Sequence, residues 1–295
     1  MKLAKLIKSV IVFTSLSVCV AQAAQQQTTR VVPYYGDDFY RDLKAGVSNE
    51  DLENRIKSVL RSFHVKRASG NDLIVNSCMQ AQGQGRCYAH TAIGYNAARV
   101  FLMGNYYLIK DGNKGYAIRD VYCDKDRPVS DFRRDFPAPG TIPDNKVINV
   151  EHTWPQSHFT RRFPDEVQKS DLHHLFPTDS QINAIRGNNM FGEVSHDLME
   201  LKCPASRFGL GSGGSDEVFE PPQDHKGNVA RALFYFSVRY DMPINQLEEV
   251  ILRKWNKEDP VDAEEMKRNE EIFKAQGNRN PFIDFPELAD RIADF

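Results

Sequence analysis

Three side chains define the chemistry open to this sequence. Glu151 and His152 are adjacent in Asn149-Val-Glu-His-Thr-Trp-Pro-Gln156, and Asn183 follows the segment Asp171-Leu-His-His-Leu-Phe-Pro177. A carboxylate, an imidazole and an amide suit a hard divalent cation on oxygen ligands, with a neutral histidine beside it as general base. Phosphodiester hydrolysis needs both halves: the attacking water must lose a proton, and charge growing on the phosphoryl and leaving oxygens must be offset. The cations Arg127, Arg133, Arg134, Arg161, Arg162, Lys169 and Arg186 bracket the two segments, where they either line a positive groove or make up a solvated face.

The elements that must position these residues are legible nearby. The apolar run from Val147 to Val150 predicts a strand that delivers Glu151 and His152 just before Trp154-Pro155 ends it, since proline cannot donate to a ladder and restricts its predecessor. Neighbouring side chains on a regular strand face opposite ways, so the two share one site only if the chain bends at Thr153. Downstream, Thr178 or Asp179 caps a short helix with Asn183 and Arg186 three positions apart on one face, and Gly187 closes it.

Away from the motifs, the spacing of Leu52, Ile56, Val59, Leu60 and Phe63 behind Ser48 and Asp51 predicts a capped helix. A second helix is expected from about Cys87 to Met103, stopping at Gly104, with His90 in a structural role. Gly115 to Cys123 reads as a strand, and Gly209 to Gly214 as a flexible surface loop. Asn228 to Tyr240 and Ile244 to Trp255 read as helices, and Asp259-Pro260 as the start of a charged helix ending by Gly277. With 295 residues, 41% hydrophobic and 26% charged, the chain can bury one sizeable core. A single domain from residue 24 to 295 is the expectation.

Residues 1–23 read as a secretory leader: Lys2, Lys5 and Lys8 precede an apolar run, and Ala21-Gln22-Ala23 supplies small residues for cleavage. The run is shorter than the ~20 residues a membrane span needs, so no membrane association is expected once the leader is gone. Losing its three lysines takes the formal charge from −2 to −5, so bulk attraction to nucleic acid is excluded and a local positive groove is required. Cys78, Cys87, Cys123 and Cys203 remain, an even number behind a leader and without a C-x-x-C pair, which favours disulfides over metal binding. The expected pairs are Cys78–Cys87, closing a loop rich in Gly and Gln, and Cys123–Cys203, fastening the region before the motifs to the region after them.

Glu151-His152-x-Trp154-Pro155, Asp171-Leu-His-His-Leu-Phe-Pro177 and Asn183-x-x-Arg186-Gly187-Asn188 together resemble the bacterial endonuclease I family, secreted or periplasmic nucleases with a ββα-metal (His-Me finger) centre. The likeness extends to Phe219-Glu-Pro-Pro222, Lys226 to Arg231 and Gln276 to Asp284, covering roughly Cys78 to Ile292. It implies a mixed α+β, mainly helical fold with His152 as general base and a Mg²⁺-like ion, Mn²⁺ or Ca²⁺ in its place, on Glu151 and Asn183. It also implies sequence-nonspecific cleavage of DNA and RNA, leaving 5′-phosphate and 3′-hydroxyl ends. Arg161 and Arg162 are candidates for stabilising the pentavalent phosphate, with a solvated face as the competing reading. Ala184 departs from the glycine of many relatives. Asp171, His173 and His174 are expected to orient or support the site, and His152 is expected to titrate near an ordinary ~6.5. No recognition helix is visible and no protein partner can be inferred. Two rival classes stand beside this one: a zinc hydrolase using His152, Asp171, His173 or His174, which lacks an H-E-x-x-H spacing, and a non-catalytic nucleic-acid-binding protein.

Overall fold

The helix Lys226–Tyr240 buries every residue except Asn228, because apolar side chains occupy all its faces rather than one stripe. The segments Asn49–Arg61, Gln246–Glu258 and Pro281–Asp284 pack against it. The computed structural model describes residues 30–295, and the expected leader lies outside them. Pro33–Phe295 forms one compact unit.

In chain order, α1 (Gly36–Lys44) and α2 (Asn49–Arg61) precede an antiparallel sheet of β1 (Phe63–Lys66), β2 (Leu73–Val75) and β3 (Arg86–Tyr88), in the order β2-β1-β3. Next come α3 (Tyr95–Phe101), which loosens into a π turn over Leu102–Tyr106, and a sheet of β4 (Leu108–Lys110), β5 (Tyr116–Asp120) and β6 (Lys125–Pro128). A two-stranded antiparallel sheet pairs β7 (Ile148–His152) with β8 (Leu175–Asp179), α4 (Asp165–Lys169) lies in the connection, and α5 (Ser180–Arg186) follows β8. The last sheet contains β9 (Met190–Phe191), β10 (Val194–Met199), β11 (Arg207–Gly211) and β12 (Glu217–Glu220), in the order β10-β11-β12-β9. α6 (Lys226–Tyr240), α7 (Gln246–Glu258), α8 (Ala263–Gln276) and α9 (Pro281–Asp284) complete the described chain. The fold is α+β with more helix than strand, as expected. No helix among the described residues is long and apolar enough to cross a membrane.

The β7–β8 pair rests on a core that includes Ala98, Leu102, Ile118, Phe132, Ile148, Val150, Leu172, Leu175 and Ile272, while the Val121 amide donates to Pro177 O at 3.1 Å and ties the neighbouring sheet to it. Both expected disulfides are present, Cys78–Cys87 and Cys123–Cys203. The latter joins the turn after β5 to the segment before β11, so the two flanks of the hairpin are held together.

Several expectations are corrected. The stretch from Cys87 is not helical until Tyr95, because β3 pairs with β1 through Val65↔Cys87 and Gly94 at φ +82° precedes the helix. Gly104 does not stop that helix; the π turn carries it on to Tyr106, where the close approach of Thr141 leaves no room for a Cβ. Gly209 to Gly211 belong to β11, and Gly209 is needed because a Cβ there would meet His196 O at 2.1 Å. Phe63 leaves the apolar face of α2 and begins β1. The cap of α8 is Asp262, which accepts from Glu265 N at 2.7 Å, whereas Asp259 accepts from Gly227 N at 2.8 Å and ties α6 to the α7–α8 turn.

Candidate active site

β8 passes into α5 without a loop. Asp179 ends the strand and its Oδ1 accepts from Gln181 N and Ile182 N at 2.9 and 3.1 Å, satisfying two orphan donors of the helix. Arg127 Nη2 holds the same carboxylate at 2.6 Å and Arg127 Nε holds Asp120 at 2.8 Å. Arg127, read from sequence as a groove residue, is buried and fixes this corner instead.

The corner aims α5 at the end of β7. Asn183 Nδ2 donates to Asn149 Oδ1 at 2.8 Å and to Val150 O at 3.2 Å. A backbone carbonyl only accepts, so the amide nitrogen must face Val150, and Asn183 Oδ1 points away with no donor upon it among the described residues. Three residues on, the buried Arg186 donates to His152 O at 3.1 Å and Thr153 O at 2.7 Å, with its guanidinium over the Phe191 ring. These bonds, with Thr153 N donating to His174 O at 2.9 Å, carry the strand end past its last ladder pair.

Arg186 also meets Glu151. Its Nη1 lies 2.9 Å from Glu151 Oε1, and both side chains are 2% exposed. The approach lacks hydrogen-bond alignment, so Oε1 is a buried acceptor without a donor. Burial pushes the Glu151 carboxyl up to about 6, against the downward pull of Arg186. Glu151 Oε1, ion-paired with Arg186 but without a hydrogen-bond donor, and Asn183 Oδ1 are therefore two oxygens with acceptor capacity to spare, the donor type a hard divalent ion takes.

His152 is buried, and its Nε2 lies 3.1 Å from Lys169 O. The carbonyl accepts, so Nε2 carries the proton and Nδ1 keeps its lone pair; Gln156 Nε2 lies 3.3 Å from Nδ1 as its donor. Burial, and then the His174 imidazole, push this histidine down to about 3, far from the ordinary value expected from sequence. It is neutral throughout the physiological range.

Asp171, His173 and His174 form the support behind it. Asp171 is fully buried and accepts from Tyr235 Oη at 2.7 Å, Tyr240 Oη at 2.8 Å and Gln276 Nε2 at 2.7 Å. Burial alone would raise its carboxyl, but His90, His173 and Arg239 around it hold it below the usual range. His173 Nε2 donates to Asn278 O, and His174 Nε2 donates to Gln168 O at 2.8 Å. His174 and His152 thus hang from the consecutive carbonyls of residues 168 and 169.

Glu151, His152 and Asn183 line one cleft of about 710 Å³ with Asn149, Gln156, Tyr95 and Arg99. Arg161 and Arg162 are not among its lining residues; both are exposed, and Arg162 is paired with Asp241. Arg99 and Gln156 take wall positions that sequence reading left unassigned. Gln156 lay in the quoted motif, and Arg99 shares a helix face with Tyr95 four residues earlier. Cys123, Asp179 and Cys203 are also grouped closely enough for a metal, but the two sulfurs are bonded to each other.

Strand, strand and helix thus bring a neutral imidazole, a carboxylate ion-paired with Arg186 and an amide to the lining of one cleft, an arrangement suited to hydrolysis. The sequence matches the family described as Endonuclease I over residues 85–287, and the chain belongs to that family. It is 40% identical over 165 residues to an extracellular ribonuclease of Bacillus subtilis (strain 168), covering 49% of this chain and 53% of that one. It is 30% identical over 115 residues to Endonuclease-1 of Buchnera aphidicola subsp. Acyrthosiphon pisum, covering 39% and 44%. Against an extracellular deoxyribonuclease of Aeromonas hydrophila the identity is 31% over 117 residues, covering 39% and 49%. The chain spans about half the length of the curated relatives it matches.

Proposed function

We propose that this protein is an exported, divalent-metal-dependent endonuclease that hydrolyses phosphodiester bonds in DNA and RNA with little sequence preference. The observation that carries the reading is that His152, Glu151 and Asn183 line one cleft, with His152 Nδ1 met by the weak Gln156 donor and Glu151 Oε1 ion-paired with Arg186 but without a hydrogen-bond donor. His152 accepts the proton of the attacking water at Nδ1, because Lys169 O keeps its proton on Nε2. Glu151 and Asn183 hold a Mg²⁺-like ion, with Mn²⁺ or Ca²⁺ as substitutes of similar hardness. When bound, that ion supplies the positive charge that offsets charge growth on the phosphate. Relatives named as ribonuclease and as deoxyribonuclease support both substrates, and relatives named extracellular or periplasmic support export, as do two disulfides.

The test is cleavage of DNA and RNA by purified protein with chelator and then with Mg²⁺, Mn²⁺ or Zn²⁺. Chelator should abolish cleavage, and Mg²⁺ or Mn²⁺ should restore it. His152→Ala should lower turnover by about 10²-fold or more with metal and nucleic-acid binding retained. Asn183→Ala or Glu151→Ala should weaken metal affinity instead. Restoration by Zn²⁺ alone would favour the zinc hydrolase, and a folded His152→Ala protein cutting at the parental rate would sink the mechanism.

A further inference from the structure

A second cleft, of about 380 Å³, lies between the first sheet and the end of α8 and is lined by Lys66, Arg86, Tyr88, Thr91, Phe273 and Gln276 among others. Lys66 and Arg86 face each other directly across β1 and β3. Like charges at opposed positions of a ladder are destabilising, and both side chains are exposed with no carboxylate within ion-pair distance among the described residues. The neighbouring cations are spoken for: Arg67 pairs with Asp37, and Lys274 pairs with Glu271 at 2.9 Å. Only Lys66 and Arg86 are therefore counted. Of the carboxylates close to the cleft wall, Glu271 is taken up by Lys274, which lines the cleft, and Asp72 is buried and bonded by the Tyr88 hydroxyl, which also fixes that ring. Tyr88 and Phe273 present half-buried aromatic surfaces 6.0 Å apart beside the cations.

This cleft adjoins the first one. Thr91 lines the second and Tyr95 lines the first. Four residues of chain span at most ~14 Å, the rise of about four nucleotides along one strand of a duplex. The nearest walls of the two clefts are thus no farther apart than a few nucleotides of one strand. The overall charge of the chain gives no bulk attraction for a polyanion, so two uncompensated cations beside aromatic faces are a local solution to that need.

We propose that this second cleft binds the continuation of the substrate strand, with backbone phosphates on Lys66 and Arg86 and bases against Tyr88 and Phe273. The inference rests on the nuclease reading for its ligand. The experiment keeps the two apart by measuring binding and cleavage separately. In a His152→Ala background, fluorescence anisotropy compares Lys66→Gln/Arg86→Gln with its parent on a trinucleotide and on a twelve-nucleotide single strand across a salt series. Two lost phosphate contacts should lower the salt slope by about 1.4, which is a loss of about 25-fold at ~0.1 M salt if the proteins converge near ~1 M. The trinucleotide should bind both proteins equally, and Lys66→Arg/Arg86→Lys should keep the longer strand. An unchanged slope on the long strand, or equal losses at both lengths, overturns the proposal. So does a loss confined to anionic vesicles or inorganic polyphosphate, which assigns the cleft to another polyanion. Cleavage of the same strand by the His152 protein tests the nuclease reading on its own: no cleavage there with a length-dependent loss in anisotropy leaves the second cleft standing and the activity refuted.

Discussion

Replacing Arg186 by methionine should destabilise the metal-free protein by about 2–4 kcal/mol, most of it recoverable by also replacing Glu151 with glutamine. Arg186 donates to two carbonyls, His152 O and Thr153 O, and its removal leaves these buried acceptors short of a donor at roughly 1–3 kcal/mol in all. It also strips Glu151, 2% exposed, of the only cation paired with it among the described residues. That second cost has a ceiling, because the carboxyl escapes by taking a proton. Holding a group of ordinary value 4.5 neutral at pH 7 costs about 3.4 kcal/mol at 1.36 kcal/mol per pH unit, of which the parent, with its carboxyl at about 6, already bears about 2 kcal/mol, so the loss of Arg186 adds about 1.4 kcal/mol. The sign follows. Without Arg186 the folded carboxyl is raised further above its unfolded value, so the folded state binds the extra proton and acid relieves the variant. The deficit should shrink steadily from pH 7 to below about 6, where the parent carboxyl is protonated too, leaving only the hydrogen-bond part. Urea titration of the parent, Arg186→Met and Arg186→Met/Glu151→Gln at several pH values measures this. A deficit below about 1 kcal/mol at pH 7, or one that does not depend on pH, would refute the claim that Arg186 compensates a buried charge.

The remaining expectations concern pH, the disulfides and the base. His152, His173 and His225 are pushed by burial to about 3, and His90 and His174 to about 4, so the unfolded chain takes up protons near 6.5 that the folded chain refuses. Stability is therefore complete above pH 6.5 and falls as pH drops towards 3; His225→Phe, remote from the cleft, should flatten that fall in a denaturant series. Loop-closure entropy assigns about 4.5 kcal/mol to Cys123–Cys203, separated by 80 residues, and about 2.6 kcal/mol to Cys78–Cys87, separated by 9, so Cys123→Ala/Cys203→Ala should lower the denaturation midpoint the more. The acid limb of the activity should lie near pH 6, where Glu151 protonates, and move to lower pH as Mg²⁺ is raised, because ion and proton compete for one oxygen. A limb near 6.5 indifferent to Mg²⁺ would return the titration to the imidazole.

Much of the site's frame was legible because its signals are local. A proline five residues past an apolar run ends a strand, an aspartate before Gln181 and Ile182 caps a helix, and Gly187 at φ +55° closes it. What was not legible depends on tertiary pairing. β3 shows no strand alternation, since only three residues pair with β1, and the alanines after it read as helix until Gly94 intervenes. Arg161 and Arg162 drew attention because they follow the motif in sequence, yet their loop turns outward and Arg162 ends on Asp241. Arg99 lies more than fifty residues from His152 along the chain and reaches the cleft through packing. Its position could not be read from spacing.

The perturbed imidazole shows the same divide from the other side. His152 was identifiable as a base from residue type and motif, but its environment comes from residues that no local pattern connects to it. The β7–β8 pairing sets His152 opposite Leu175 and beside His174, α4 supplies the Lys169 carbonyl, and Tyr95 closes over the ring from another helix. Each contact is apolar or a neutral acceptor, and none adds a carboxylate that would favour the imidazolium. The same packing gives the ring one tautomer, with the lone pair on Nδ1 beside Gln156. Adjacent residues of a strand, which should diverge, serve one site because the strand ends there. Arg186 ties down the carbonyls of residues 152 and 153, so Glu151 turns to the arginine while His152 turns to Lys169, and the cleft opens between them.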